Sequence, residues 1–122
     1  MIILGIHGGF TLHQHDAAAS LMIDGKLICS IEEERLYRQK NALGLLPINA
    51  IQKCIDEAKI TINDVDLIAL PGATYNDLEK RTKEWIKHYW GYCPQVLLVN
   101  ILVEALKLKL LGVRQQRLHQ LV

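Results

Sequence analysis

The chain has no excess of charge of either sign. Its 14 basic and 13 acidic side chains leave a net +1 over 122 residues. That balance gives no electrostatic footprint for a nucleic acid or an anionic membrane, so neither is expected as a partner. Cysteine is sparse and scattered: Cys29, Cys54 and Cys93 form no C-x-x-C. An odd number at wide spacing argues against a disulfide framework and for free, buried thiols in a reducing compartment, the cytoplasm. No basic leader precedes the first apolar run, as a secretory signal would require. The longest apolar segment, 96–111, is interrupted by Asn100, Glu104, Lys107 and Lys109. It is too short for a membrane span and reads as a buried helix. Internal repeats and low-complexity linkers are also lacking. Half of the residues are hydrophobic, which suits one globular domain over 1–122 and argues against disorder.

What is present is concentrated between Met1 and Arg35. Ile2–His7, Ala17–Ile23 and Lys26–Glu33 read as three strands. Asp24-Gly25 separates the last two and is a strong hairpin signal, because a type I′ turn needs positive φ at both central residues. Between the first two strands lies the loop Gly8-Gly9-Phe10-Thr11-Leu12-His13-Gln14-His15-Asp16, which combines paired glycines, a hydroxyl, histidines and a carboxylate. Loops on a rigid sheet are where chemistry tends to sit.

Further along, Glu32 to Lys40 reads as a charged strand end running into a loop. Pro47 suits the first turn of a helix, whose apolar face is Ile48, Ile51, Cys54, Ile55 and Ala58. That helix is expected to stop near Lys59. Asn63-Asp64 marks a turn, and Val65–Leu70 reads as a buried strand ended by Pro71-Gly72. A second helix is expected from an N-cap at Asn76, with Leu78, Trp85, Ile86 and Tyr89 as its apolar side. A third begins near Pro94, and Leu118–Val122 reads as a last strand. The order β-β-β-α-β-α-α-β predicts an α/β fold of the ribonuclease-H-like kind: a mixed sheet of three antiparallel strands followed by helix-linked parallel ones, joined by right-handed crossovers.

Several residues could carry chemistry, and each has a plain structural alternative. His15 could move a proton or donate to an oxyanion near neutral pH, with Asp16 orienting it; equally, Asp16 could only accept backbone N–H groups where loop becomes strand. Gly8 and Gly9 could let bare backbone approach an anion, or simply form a tight turn. No helix follows them, which excludes a P-loop or a dinucleotide fingerprint. Thr11 and His13 line the same loop. Arg38 and Lys40 could clamp an anion, or belong with Glu34 and Arg35 to a solvated strand end. His7 reads as a core or edge histidine. His119 has no partner at metal-ligand spacing, so no metal ligands are assigned in this chain. Trp85, Tyr89, Trp90 and Tyr92 read as packing aromatics. A two-metal nuclease needs carboxylates on the first strand, and Ile2–His7 has none; a sugar kinase stays open.

The run LGI, a polar loop ending in His15-Asp16, and then AAASLMIDGKLICSIEEERLYRQK resembles the N-terminus of the NodU-type O-carbamoyltransferases. Their pattern reads LGIS, a loop, HD-S/A-AA, a strand, DG, a strand and EER-F-x-R-x-K. The likeness covers about the first 70 residues and is looser beyond, and the loop before His15 is slightly longer than usual. The resemblance implies a lobe of the actin, sugar-kinase and heat-shock chaperone superfamily. It also implies an enzyme that takes a carbamoyl group from carbamoyl phosphate, activates it with ATP as carbamoyl adenylate, and passes it to a hydroxyl-bearing small molecule. ATP and a divalent metal belong to the full-length family. Its His-x-x-x-His metal segment would follow a strand like 117–122 and is absent here, so the chain is expected to be an N-terminal piece that needs a missing C-terminal lobe or a partner chain. The same resemblance places His15 near the carbamoyl and phosphate groups, where Asp16 could orient it or sit near a cation, and matches Arg38 and Lys40 to the EER-x-x-R-x-K run as anion clamps; Gly8, Gly9 and Thr11 are candidate ligand-binding positions from the loop's own composition. The competing expectation is a non-catalytic lobe that works by pairing with a second chain.

Overall fold

The computed structural model describes residues 1–9, 14–70, 75–91, 95, 97–99 and 101–102. The chain divides into two compact units, Met1–Ala69 and Leu70–Val122.

In the first unit, strands β1 (Ile2–His7), β2 (Ala18–Ile23), β3 (Lys26–Glu32) and β4 (Leu67–Ala69) form one sheet in the order β3-β2-β1-β4. The β1–β2 and β2–β3 pairs are antiparallel and β4 lies parallel to β1. The β2–β3 hairpin turns at Asp24-Gly25 with φ of 48° and 82°, the two positive values expected there. A register shift lies between Leu21 and Met22. Alternation then fixes one apolar face: Leu4 and Ile6, Ala19 and Leu21, and Ile68 are buried, with Leu4 opposite both Leu21 and Ile68.

Helix α2 (Ile48–Ala58) packs on β2 and β3 through Ala50, Ile51, Cys54 and Ile55, all buried. Burying each isoleucine contributes about 1.5–3 kcal/mol. The helix stops where the spacing predicts. Lys59 takes the left-handed conformation (φ 55°), and its N–H and that of Ile60 close on the last turn. The following turn, Ile62–Asp64, is a 3-10 turn held by a capping box. Asp64 Oδ2 accepts the Thr61 N–H at 2.7 Å and the Thr61 hydroxyl at 3.1 Å. Asp66 and Ile2 then exchange two bonds that start the parallel pairing: the Asp66 N–H donates to the Ile2 carbonyl, and the Ile2 N–H to the Asp66 carboxylate at 2.7 Å.

Three local expectations need correction. The stretch after β3 is not a loop at once: Glu34–Tyr37 forms a single helical turn, α1. The Leu36 and Tyr37 N–H groups close back on the Glu33 carbonyl, and Arg38 ends the turn in the left-handed region. Pro47 precedes the first helical residue of α2 rather than occupying it. His7, expected in the core or at an edge, is exposed at the end of β1, which removes the first of those two alternatives.

In the second unit, α3 (Tyr75–Tyr89) already includes Asn76, which is therefore not its N-cap. Leu78, Thr82 and Trp85 are buried, and Arg81 Cζ sits 5.9 Å from the Trp85 ring centroid. Trp90 is exposed. Residues 95, 97–99 and 101–102 are helical, with Leu97, Leu98 and Ile101 buried, which agrees with a helix after Pro94. The expected last strand, Cys93, Tyr92 and His119 lie outside the described residues. No helix among the described residues is long and apolar enough to cross a membrane.

Cys54 is fully buried, with Sγ 3.7 Å from the Ala19 carbonyl. Burial first, and then the neighbouring Cys29 thiol, pushes its pKa from 9.0 up to about 12. In the native chain at pH 8, Cys54 should therefore resist alkylation until the chain unfolds. The unfolded thiol ionises first, so this group's contribution is intact below pH 9 and is lost as pH rises toward 12. Denaturant titrations at pH 8 and above pH 10 should show a shallower decline for Cys54→Ala than for the wild type. Equal declines would mean that the thiol does not govern the difference.

Candidate functional site

Two loops beside the sheet hold the candidate residues, and the chain stitches them together. The first, 8–17, joins β1 to β2. The second, 38–47, joins α1 to α2. The Asp16 N–H donates to the Asn41 carbonyl at 2.6 Å, and the Gly44 N–H donates to the Gln14 carbonyl at 2.8 Å. His15 thus lies between two residues whose backbones are both tied to the second loop.

Within the first loop, His15 Nδ1 sits 2.5 Å from Asp16 Oδ2. Both side chains are well exposed, at 65% and 52%. An exposed pair of this kind contributes no more than about 1 kcal/mol of stability. Its effect is orientation: with Nδ1–H donating to the carboxylate, the neutral ring presents Nε2 as a base, and the protonated ring presents it as a donor. Asp16 holds a left-handed φ of 59°.

Gly8 and Gly9 have φ of 103° and 79°. A Cβ on Gly8 would lie 2.6 Å from Ala17 Cα and Cβ, and one on Gly9 would lie 3.0 Å from the Leu45 carbonyl oxygen and from Leu46 N and Cα. The bare backbone at both positions is therefore required by the chain's own close packing under Leu45-Leu46. Thr11, and with it Phe10, Leu12 and His13, lies outside the described residues.

The second loop carries Arg38 and Lys40. Both are exposed, and among the described residues neither makes an ion pair. The loop bends through left-handed Arg38 (φ 62°), Asn41 (φ 61°) and Ala42 (φ 41°). Arg35 pairs with Glu32 at 3.9 Å. Those two side chains, with Ala18, Ser30 and Ile31, line a shallow hollow of about 460 Å³ that holds none of the other candidates.

Two glutamates set this geometry, and sequence reasoning gave neither that role. Glu33 is 1% exposed. Its carboxylate accepts the Asn49 N–H at 3.2 Å, the Asn49 amide at 2.7 Å and the Ala50 N–H at 2.7 Å. It caps the N-terminus of α2 from a distance, where negative charge is favoured. A signal for it existed: the start of α2, Pro47-Ile48-Asn49-Ala50, offers no side-chain cap of its own. Glu34 Oε2 accepts the Asn41 N–H at 2.9 Å. Among the described residues no group of three or more His, Cys, Asp or Glu side chains is placed to hold a metal ion.

Comparison with known proteins gives this geometry its context. Residues 3–105 match the family model for the carbamoyltransferase N-terminus. The chain belongs to that family. It is 39% identical over 80 residues to the nodulation protein NolNO of Sinorhizobium fredii, an alignment covering 57% of this chain and 12% of that protein. It is 37% identical over 92 residues to an uncharacterised protein of Synechocystis, covering 73% of this chain and 14% of that one. An uncharacterised 19.2 kDa protein of Rhizobium etli is 42% identical over 55 residues, 45% of this chain and 32% of that protein. The chain thus spans about a seventh or less of the length of the first two relatives.

Replacing Glu33 by Ala should cost roughly 2–4 kcal/mol, because buried N–H groups at the head of α2 lose their acceptor. Glu33→Gln, which keeps one carbonyl oxygen, should cost less. Urea denaturation followed by far-ultraviolet circular dichroism checks both, and a Glu33→Ala chain of unchanged midpoint would contradict the capping role.

Proposed function

We propose that this chain is the N-terminal portion of an enzyme that moves a carbamoyl group from carbamoyl phosphate, through an ATP-dependent carbamoyl adenylate, to a hydroxyl-bearing acceptor. The observation that carries the reading is the tie between Asp16 N–H and the Asn41 carbonyl. It joins the loop of His15-Asp16 to the loop of Arg38 and Lys40 in a chain of the carbamoyltransferase N-terminus family. Fold alone would not carry it. We further assign the first unit to a ribonuclease-H-like lobe; the strand order β3-β2-β1-β4 with β4 parallel to β1 supports that assignment.

The physical logic follows from the chemistry. Carbamate is a poor electrophile until its oxygen is joined to a good leaving group, so a catalyst must hold dense negative charge and position the carbonyl carbon. Arg38 and Lys40 supply cations for phosphate oxygens, the guanidinium in a two-point manner. His15, oriented by Asp16 through Nδ1, offers Nε2 to a carbamoyl or phosphate oxygen, or for proton transfer. Gly8 and Gly9 shape the loop by close approach. ATP would draw on the cations of the second loop. Among the described residues no cluster of His, Cys, Asp or Glu side chains fits the divalent metal of the family. We place the enzyme in the cytoplasm, consistent with free Cys29 and Cys54.

Calorimetric titration of the chain with carbamoyl phosphate and with a non-hydrolysable ATP analogue tests the reading. Carbamoyl phosphate should bind, with affinity falling about tenfold or more in His15→Ala and in the Arg38→Ala, Lys40→Ala double variant, a loss of about 1.4 kcal/mol or more. The ATP analogue should bind weakly, and the isolated chain should turn over nothing. Binding that survives both substitutions would remove these residues from the site. Absence of binding by a folded chain would favour a lobe that acts only when paired with a second one.

A further inference from the structure

We infer that Glu34 is a positioning residue for His15, acting through Asn41; the inference deepens the reading above and rests on it only for its consequence in ligand binding. The carboxylate of Glu34 accepts the Asn41 N–H at 2.9 Å, and its backbone carbonyl accepts the Arg38 N–H at 3.1 Å. One residue therefore pins both ends of the segment that carries Lys40. The carbonyl of Asn41 in turn accepts the Asp16 N–H at 2.6 Å, and Asp16 Oδ2 meets His15 Nδ1. The relay runs from the carboxylate to the Asn41 N–H, across that residue's backbone to its carbonyl, and on to the residue that orients the imidazole.

The backbone explains why such a brace is needed. Asn41 at φ 61° and Asp16 at φ 59° both sit in the left-handed region, which Asn and Asp tolerate better than other side-chain-bearing residues but which still competes with commoner conformations unless neighbouring bonds hold it. Removing the acceptor on Asn41 frees its N–H to seek water in a commoner conformation. That swings the carbonyl that holds Asp16. Among the described residues the Glu34 carboxylate accepts its hydrogen bond from the Asn41 N–H, so any effect on His15 passes through that residue.

The test uses three variants of the full chain. Glu34→Ala removes the acceptor. Glu34→Asp keeps the charge but shortens the reach by one methylene. Glu34→Gln keeps one carbonyl oxygen at full length. Nuclear magnetic resonance of nitrogen-15-labelled protein reads amide hydrogen exchange at Asp16 and Asn41 and the ring resonances of His15. Glu34→Ala and Glu34→Asp should speed exchange at both amides by about tenfold and move the His15 ring signals, while amides of β1, β2 and α2 keep wild-type rates. Glu34→Gln should restore both readouts. Carbamoyl phosphate affinity should fall about tenfold in the first two variants and recover in the third.

If Glu34→Ala does not fold, Glu34→Asp and Glu34→Gln carry the test. Wild-type exchange at Asp16 and unmoved His15 signals in a folded Glu34→Asp chain would overturn the inference. A wild-type chain that ignores carbamoyl phosphate would instead overturn the functional reading. The exchange data decide the positioning role in either case.

Discussion

The carboxylate of Glu33 is the constraint on which the rest of the first unit depends. Burying an isolated carboxylate is prohibitive, and burying one with full hydrogen bonding is affordable only when the partners are already fixed. Here they are: two consecutive backbone N–H groups at the head of α2 and the Asn49 amide. The bond set joins the end of β3 directly to the start of α2. Everything between them, from Glu34 to Pro47, must close as a loop over that junction. The closed loop holds Arg38, Lys40, Asn41 and Gly44, and through the last two it holds the first loop as well. The position of the candidate site thus follows from where one strand hands over to one helix.

Local signals read well from the sequence because their causes are local. Asp24-Gly25 makes its turn with the two positive φ values that the dipeptide favours. The apolar face of α2 and its stop at Lys59 follow from spacing and from a single left-handed residue. The α1 turn was not legible, because its cause lies elsewhere: Glu33 faces inward to serve α2, and the chain must bend sharply after it. In the sequence, Glu32-Glu33-Glu34-Arg35 is one charge run and reads as a solvated strand end. In the structure the four residues have different surroundings. Glu32 pairs loosely with Arg35 at the surface, Glu33 is a buried cap, and Glu34 holds Asn41. Residue type alone could not separate them; the capless start of α2 was the available clue.

The glycine pair shows a different limit. A Gly-Gly after a strand is compatible with an anion cradle or with a crowded turn, and sequence leaves both open. The 2.6 Å and 3.0 Å approaches of hypothetical Cβ atoms to neighbouring backbone give a sufficient structural reason for glycine at both positions. The chemistry proposed for this loop therefore rests on His15 and Asp16 rather than on Gly8 and Gly9. The same structure joins two motifs that the family resemblance presents as separate signatures. The His-Asp pair and the Glu-Glu-Arg run are connected through the backbone of one residue, Asn41.

Strain points the same way. Among the described residues six non-glycine positions have positive φ. Asp24 belongs to a hairpin and Lys59 to a helix end, where such values are routine. The other four, Asp16, Arg38, Asn41 and Ala42, all lie in the two tied loops. Asp16 and Asn41 are of the types that tolerate this region best, while Arg38 and Ala42 carry the larger cost, about 1 kcal/mol or more each. A loop whose only task was to link a strand to a helix could avoid that cost with glycine or a longer path. The chain instead holds side-chain-bearing residues there and braces them: Glu34 accepts the N–H groups of Arg38 and Asn41, Gln39 that of Ala42, and Asn41 that of Asp16. The effect is to keep a carboxylate-oriented imidazole on a loop tied to the one that carries Arg38 and Lys40, which among the described residues make no ion pair, and this is the preorganisation that the proposed anion chemistry would need.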